Sequence, residues 1–183
     1  MEIEPDDYIV LYNKGRVLGE LGRSEEAEKL YERVFEPERF YEFFNQRKFL
    51  YESELEPEDI QAFMGILIAK DGEHKKAMKW IYSALNHNPK NKIALMGKSF
   101  VLEKLGKYDE ALNILKIILP KSPYDGLVLY RIARIQSLRG NDEIALENLA
   151  SAINLNVLYK SKAKDDKAFE KIKEMNEFKK LTS

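Results

Sequence analysis

The side chains that could bind a metal ion or transfer protons are few in this sequence, and their spacing does not suit that chemistry. The two histidines, His74 and His87, are thirteen residues apart, and no other histidine or any cysteine stands at a ligand spacing from them. Glu25–Glu26 and Asp165–Asp166 are adjacent acidic pairs, and adjacent residues point in different directions on a helix. We therefore predict no metal site and no pair of carboxylates for general acid–base catalysis.

The nucleophiles and phosphate-binding loops of common enzyme classes are also missing from the sequence. The chain has no cysteine, which excludes thiolate nucleophiles, disulfides and cysteine zinc sites. It contains neither GxGxxG nor GxxxxGK[ST], and its serines have no plausible histidine–aspartate pairing. We predict that the protein is not an enzyme and needs no cofactor.

Composition indicates an all-α protein. Of the 183 residues, 44% are hydrophobic and 33% are charged, which suits one compact domain or a short helical solenoid, and no stretch alternates with period two. No apolar run approaches the length of about 18 residues that a membrane helix needs. The first residues, MEIEPDD, are acidic and lack the apolar centre of a secretory signal. We expect a cytoplasmic protein without a membrane partner.

The charge is unevenly distributed along the chain. Residues 1–57 carry 15 acidic and 8 basic residues, a net charge of −7, whereas residues 58–125 and 160–183 each carry +3. An acidic front and a basic back could attract each other between molecules, although solvated helical surfaces also vary in this way by chance. Nucleic acid is not expected as a partner, because the basic residues form no concentrated stripe.

A repeated helical hairpin organises the chain. In residues 91–123, two amphipathic segments are joined at Gly106, and the second carries Ala111, Leu115 and Ile118 on one face. The spacing of glycine to alanine by five residues occurs four times, and the last three copies are separated by 34 residues. The four pairs are Gly22–Ala27, Gly72–Ala77, Gly106–Ala111 and Gly140–Ala145. One hairpin cannot bury its own apolar face, so copies must stack on one another.

This pattern resembles the tetratricopeptide repeat (TPR) family, whose period is also 34 residues. The family's first small position holds Gly15, Gly65, Ser99 and Ala133 in the four copies. The family's opening tryptophan is absent, and Leu11, Gln61, Leu95 and Leu129 stand in its place. The resemblance implies an α-solenoid of four TPR-like helical hairpins, which forms one domain over residues 1–183. We place the repeats at about 8–37, 58–91, 92–125 and 126–159. The helices of the last three repeats are expected at about 58–71, 74–87, 92–105, 108–121, 126–139 and 142–155, and Pro123 should keep the fourth of these from continuing.

Two segments extend the repeat pattern. Residues 38–57 are extra, and a helix at about 38–52 would place Phe40, Phe43, Phe44 and Tyr51 on one face. That face could join the core, fill the groove or form an interface between molecules. Residues 160–183 resemble the partial repeat that closes many such arrays, and we expect a C-terminal cap there. Its predicted apolar anchors are Ala163, Phe169, Ile172, Phe178 and Leu181.

The resemblance implies an adaptor or scaffold that binds a segment of another protein in a concave groove. Carrying over the family's groove positions gives Tyr12, Arg16, Ile66, Lys70, Met96, Phe100, Lys104, Tyr130 and Arg134. Such a lining would suit a partner with apolar anchors and acidic flanks, although some of these side chains could instead complete the core. The alternative is a self-associating structural protein, such as a homodimer, which light scattering would detect. The positions that bind chaperone carboxyl termini match at Arg131 alone, so we predict no binding to those peptides.

Overall fold

A computed structural model describes residues 56–70 and 72–183, the backbone alone at position 67, and the single residues Lys14, Leu18, Arg23 and Glu26. All regular structure in this described part is helical, and none of its helices is long and apolar enough to cross a membrane. The predicted first hairpin and inserted helix otherwise lie outside it. The α-helices are α1 (Pro57–Lys70), α2 (His74–His87), α3 (Lys92–Lys104), α4 (Tyr108–Ile118), α5 (Gly126–Arg139), α6 (Asp142–Leu155), α7 (Leu158–Asp165) and α8 (Asn176–Thr182).

The repeated residues occupy equivalent structural positions in the last three hairpins. The turn glycines Gly72, Gly106 and Gly140 have φ values of 90°, 72° and 82°, in the region that favours glycine. Five residues further on, the alanine of each hairpin is fully buried, and so is the large residue four positions after it. These buried pairs are Ala77 and Ile81, Ala111 and Leu115, and Ala145 and Leu149. The all-α prediction is confirmed, and each hairpin buries the face that the repeat pattern indicates.

The end of α4 differs from the sequence-based expectation. We expected this helix to run from 108 to 121 and to stop before Pro123, but it ends at Ile118 and continues as a 3-10 turn over Leu119–Lys121. Pro120 explains the change, because a proline has no N–H to donate to the carbonyl four residues earlier and its ring crowds that carbonyl. The other five predicted helices of the last three hairpins, 58–71, 74–87, 92–105, 126–139 and 142–155, agree with the structure to within one residue at each end.

The chain divides into two compact units, Met1–Ala94 and Leu95–Ser183. In the first unit, α1 packs against α2 around Ala62, Ala84 and Ala94, all of which are fully buried. Asn91 marks the start of α3: its Oδ1 accepts a hydrogen bond from the N–H of Ala94 at 2.8 Å, which caps the helix. This unit also contains Trp80, the single tryptophan of the sequence, which is fully buried.

Gly65 allows α1 and α2 to approach closely. A Cβ atom at this position would lie 2.6 Å from Cγ1 of Ile81 and 3.0 Å from the carbonyl oxygen of Ala77. We expect Gly65→Ala to destabilise the first unit by about 1–3 kcal/mol, because the overpacking exceeds the roughly 1 kcal/mol by which alanine is the better helix former. Denaturant unfolding followed by Trp80 fluorescence measures this. An unchanged or higher midpoint would show that the two helices separate at little cost.

The second unit, Leu95–Ser183, has two apolar clusters. The first joins α3, α4 and α5 and contains Met96, Leu115 and Ile135, among others. The second joins α5 and α6 to the C-terminal segment 158–183. All five predicted anchors of that segment lie in or against this cluster, and Phe169 and Ile172 are fully buried. The segment therefore covers the apolar faces of α5 and α6, as expected of a cap.

Candidate functional site

The second unit contains an open cavity of about 680 Å³, which we call the C-terminal cavity. Its walls come from the end of α3, the face of α5 that carries Arg134 and Leu138, and the C-terminal segment. The residues that line it are Glu103, Lys104, Arg134, Leu138, Lys162, Asp165, Asp166, Lys167 and Ala168. Seven of these nine side chains carry a formal charge, so the cavity is suited to polar and ionic contacts.

A buried carboxylate on α3 holds two arginines of α5. Arg131 and Arg134 are three residues apart and so share one face of the helix. Glu103, whose side chain is 3% exposed, accepts from Nη2 of Arg134 at 2.9 Å and lies 3.4 Å from Nη2 of Arg131. Arg131 also donates from Nη1 to the carbonyl oxygen of Met96 at 3.0 Å. These bonds connect the first helices of two successive hairpins at the base of the cavity.

Asp166 fastens the C-terminal segment to α5. Its Oδ2 accepts a hydrogen bond from the hydroxyl of Tyr130 at 2.8 Å and forms an ion pair with Nη1 of Arg134. Its Oδ1 accepts from the N–H of Ala168 at 3.0 Å, which caps the 3-10 turn Lys167–Phe169. The hydroxyl of Ser137 donates to the carbonyl oxygen of Ala168 at 2.8 Å. The segment is thus held by polar bonds at the cavity as well as by its apolar anchors.

These contacts keep the Tyr130 hydroxyl and the Arg134 guanidinium protonated. Burial raises the pKa of Tyr130 above its ordinary value, and its hydrogen bond to Asp166 raises it further. Burial lowers the pKa of Arg134, but the carboxylates of Glu103 and Asp166 together raise it more, so that the pKa lies above the ordinary value. The hydroxyl therefore remains a hydrogen-bond donor to Asp166 over the physiological pH range.

Three exposed lysines surround this network: Lys104 on α3, Lys162 on α7 and Lys167 just after it. Over residues 56–183, as far as the structure describes them, no carboxylate forms an ion pair with their ammonium groups. The Nζ atom of Lys162 lies 4.9 Å from the ring centre of Tyr130 and 5.7 Å from that of Tyr159. These two rings stack with their centres 4.9 Å apart, so Lys162 lies over an ordered aromatic surface.

The structure brings some of the predicted groove residues together. Lys104 and Arg134 both line the C-terminal cavity, and Phe100 lies beside it with the Nζ atom of Lys104 5.5 Å from its ring centre. Met96 and Tyr130 are 7% and 1% exposed and belong to the apolar clusters, so their side chains complete the core. The remaining four are placed as follows: Ile66 is half-buried and Lys70 exposed in the first unit, and Tyr12 and Arg16 lie outside the described residues.

The sequence-based groove omitted Glu103, Asp166, Lys162 and Lys167. A signal for the first two was present in the repeat. The bonded pairs Glu103–Arg134 and Arg134–Asp166 are 31 and 32 residues apart, close to the 34-residue period that separates equivalent positions on neighbouring hairpins. Opposite charges at roughly one period therefore indicate contacts between successive hairpins. No comparable signal marks Lys162 and Lys167, because eight lysines are spread over residues 160–183.

Comparisons with known proteins agree with this repeat architecture. Residues 8–36 match the family model described as tetratricopeptide repeat. A crystal structure of YrrB, described as a TPR protein with an unusual peptide-binding site, aligns with a TM-score of 0.54 and 21% identity, over 88% of this chain and 93% of that one. The chain therefore shares the fold of tetratricopeptide-repeat proteins. No curated protein sequence matches it.

Structures of MamA are also similar to this chain over most of its length. MamA 41-end from Desulfovibrio magneticus RS-1 aligns with a TM-score of 0.57 and 20% identity, over 98% of this chain and 95% of that one. A MamA RS-1 double mutant gives the same TM-score at 19% identity, over 98% and 96% of the two chains. At identities this low, the structural alignments establish a shared fold only. The ligand has to be argued from the residues of the site.

Proposed function

We propose that this chain is a tetratricopeptide-repeat protein and acts as a non-enzymatic adaptor that binds a segment of a partner protein in the C-terminal cavity. The observation that carries the proposal is the grouping of Lys104, Arg134 and the half-buried, apolar Leu138 in one open cavity on the first helices of the last two hairpins. Its volume of about 680 Å³ is enough for several side chains of an extended or helical segment. The peptide-binding site named for YrrB supports the same use of the fold. The cytoplasmic location expected from the sequence stays part of this proposal.

The structure changes which residue should be used to test the groove. Charge reversal at Arg134 would place a third carboxylate beside Glu103 and Asp166, so it would disturb the fold along with the cavity. Lys104 is exposed and lies over the ring of Phe100, and its substitution leaves the buried network intact. Lys116, exposed on α4 and away from the cavity lining, provides a control with the same change of charge.

We expect Lys104→Glu to weaken the binding of partner peptides at least about tenfold, which corresponds to roughly 1.4 kcal/mol, because it reverses the charge of a lysine in the cavity wall. Peptides selected from a random displayed library on the full chain serve as probes, and fluorescence anisotropy gives their dissociation constants. Lys116→Glu should leave these constants unchanged, and circular dichroism should show both variants folded. Equal binding to the two variants, or a library that yields no binder, would contradict the proposal.

Self-association, the alternative function, depended on the aromatic face of the helix expected at about 38–52 or on the oppositely charged ends of the chain. That helix lies outside the described residues, so the alternative stays a prediction from the sequence.

A further inference from the structure

We infer that the occupant of the C-terminal cavity is an acidic protein segment, and that the C-terminal cap supplies the lysines which select it. This inference rests on the proposed function and assigns to that site the chemistry of its partner. It also gives the segment 158–183 a second role, because a segment expected only to cover the end of the repeats would contribute directly to binding.

The arginines at the base of the cavity are already neutralised. Arg131 and Arg134 share Glu103, and Arg134 also pairs with Asp166, so two guanidinium groups are balanced by two carboxylates. The side chains of both carboxylates are almost entirely buried, at 3% and 8% exposure, and their bonds to the arginines are internal. A ligand therefore meets a polar surface without net charge at the bottom of the cavity. Any selection of ligands by their charge has to come from other residues.

The remaining charged groups of the lining are predominantly cationic. Lys104, Lys162 and Lys167 are exposed, and none of them is ion-paired within the described part of the chain. Asp165 is the one carboxylate of the lining that forms no ion pair with these arginines. Three ammonium groups and one carboxylate leave an excess of two positive charges, which favours carboxylates on the partner. Leu138 adds an apolar contact for a residue between those carboxylates.

Lys162 is the best positioned of the three lysines. Its Nζ atom lies over both Tyr130 and Tyr159, and Tyr130 is fixed by its hydrogen bond to Asp166. A lysine held in this way loses less conformational freedom when it pairs with a carboxylate than a lysine that extends freely into solvent. The bonds of Asp166 to Tyr130 and Arg134 therefore have a functional consequence, because they hold the cap and its lysines against the cavity.

A protein segment fits these observations better than a nucleic acid does. The lysines flank a single cavity, whereas a nucleic-acid strand needs a basic stripe that follows its backbone. An extended peptide can place a few carboxylates near the lysines and leave its other residues neutral.

The test compares two double variants that remove the same total charge. Lys162→Gln with Lys167→Gln alters the cavity, whereas Lys164→Gln with Lys171→Gln alters exposed lysines of the same segment that do not line it. The probes are the selected peptides, each paired with a version in which Asn and Gln replace Asp and Glu. Lys162→Arg retains the charge over the two tyrosine rings and should retain binding, which separates a loss of charge from a loss of packing.

We expect the selected peptides to be rich in Asp and Glu. The cavity double variant should bind them about five- to tenfold more weakly, and the control double variant should bind as the parent chain does. The amide versions should lose a similar factor, and higher salt should reduce the difference between the variants.

Two results would overturn the inference. The first would leave the proposed function in place, and the second would replace it. Peptides whose binding depends on Lys104 but not on their acidic residues, and not on Lys162 and Lys167, would leave a groove that does not select acidic partners. Displacement of the peptides by a single-stranded oligonucleotide, sensitive to the cavity double variant, would identify a polyanion site instead. Failure of the proposed function itself is distinguishable, because then no peptide binding would depend on Lys104.

Discussion

Replacing Glu103 with glutamine is expected to destabilise the second unit by about 3 kcal/mol, one of the two largest effects that the structure predicts. The side chain of Arg131 is 12% exposed, and Glu103 is the one carboxylate with which it forms an ion pair in the described part of the chain. Breaking a buried ion pair on one side typically costs about 3–5 kcal/mol, because the other charge is left without compensation. Arg134 retains Asp166, which places the expected cost toward the lower end. Urea unfolding followed by far-UV circular dichroism measures the change.

Two controls separate the buried pair from ordinary surface electrostatics. Glu110→Gln removes an ion pair with Lys107 in which both side chains are more than half exposed. It should lower the free energy of unfolding by less than about 1 kcal/mol. In a background of Arg131→Met, the cost of Glu103→Gln should fall by about 1–3 kcal/mol, since the orphaned charge is no longer present. Additive effects of the two substitutions would show that Glu103 does not stabilise the fold through Arg131.

The hairpins could be predicted from the sequence because their determinants are local and repeated. The turn at Gly106 needs a residue that tolerates φ of 72°, and the close approach of two helices needs a small residue such as Ala111. Both requirements recur in Gly72–Ala77 and Gly140–Ala145, so each copy supports the others. The early end of α4 at Ile118 follows from Pro120. This proline occurs in one copy only, so the 34-residue period could not predict its effect.

The candidate site was harder to predict, because it depends on contacts between distant parts of the chain. The family's groove positions carry over to Met96 and Tyr130, but packing against neighbouring elements buries both side chains. Lys104 and Arg134 could be found from the family positions, since they lie where the faces of α3 and α5 meet solvent. The contribution of the cap could not, because it depends on how Asp166 docks residues 158–183 against α5.

Removing the ring of Phe169 is the second substitution with a large expected effect, and it tests whether the cap is part of the folded core. Phe169 is fully buried, with its ring centre 5.7 Å from that of Tyr130 in an edge-on arrangement and 5.8 Å from that of Phe178. Phe169→Ala should cost about 3–5 kcal/mol in the free energy of unfolding, because it leaves a cavity between the cap and α5. It should also speed tryptic cleavage after Lys164 and Lys167, whereas Tyr124→Ala, at a side chain that is 84% exposed, should change stability by no more than about 0.5 kcal/mol. If Phe169→Ala left both the unfolding midpoint and the cleavage rate unchanged, the cap would not be anchored by its apolar face, and the position of its lysines at the cavity would lose its structural basis.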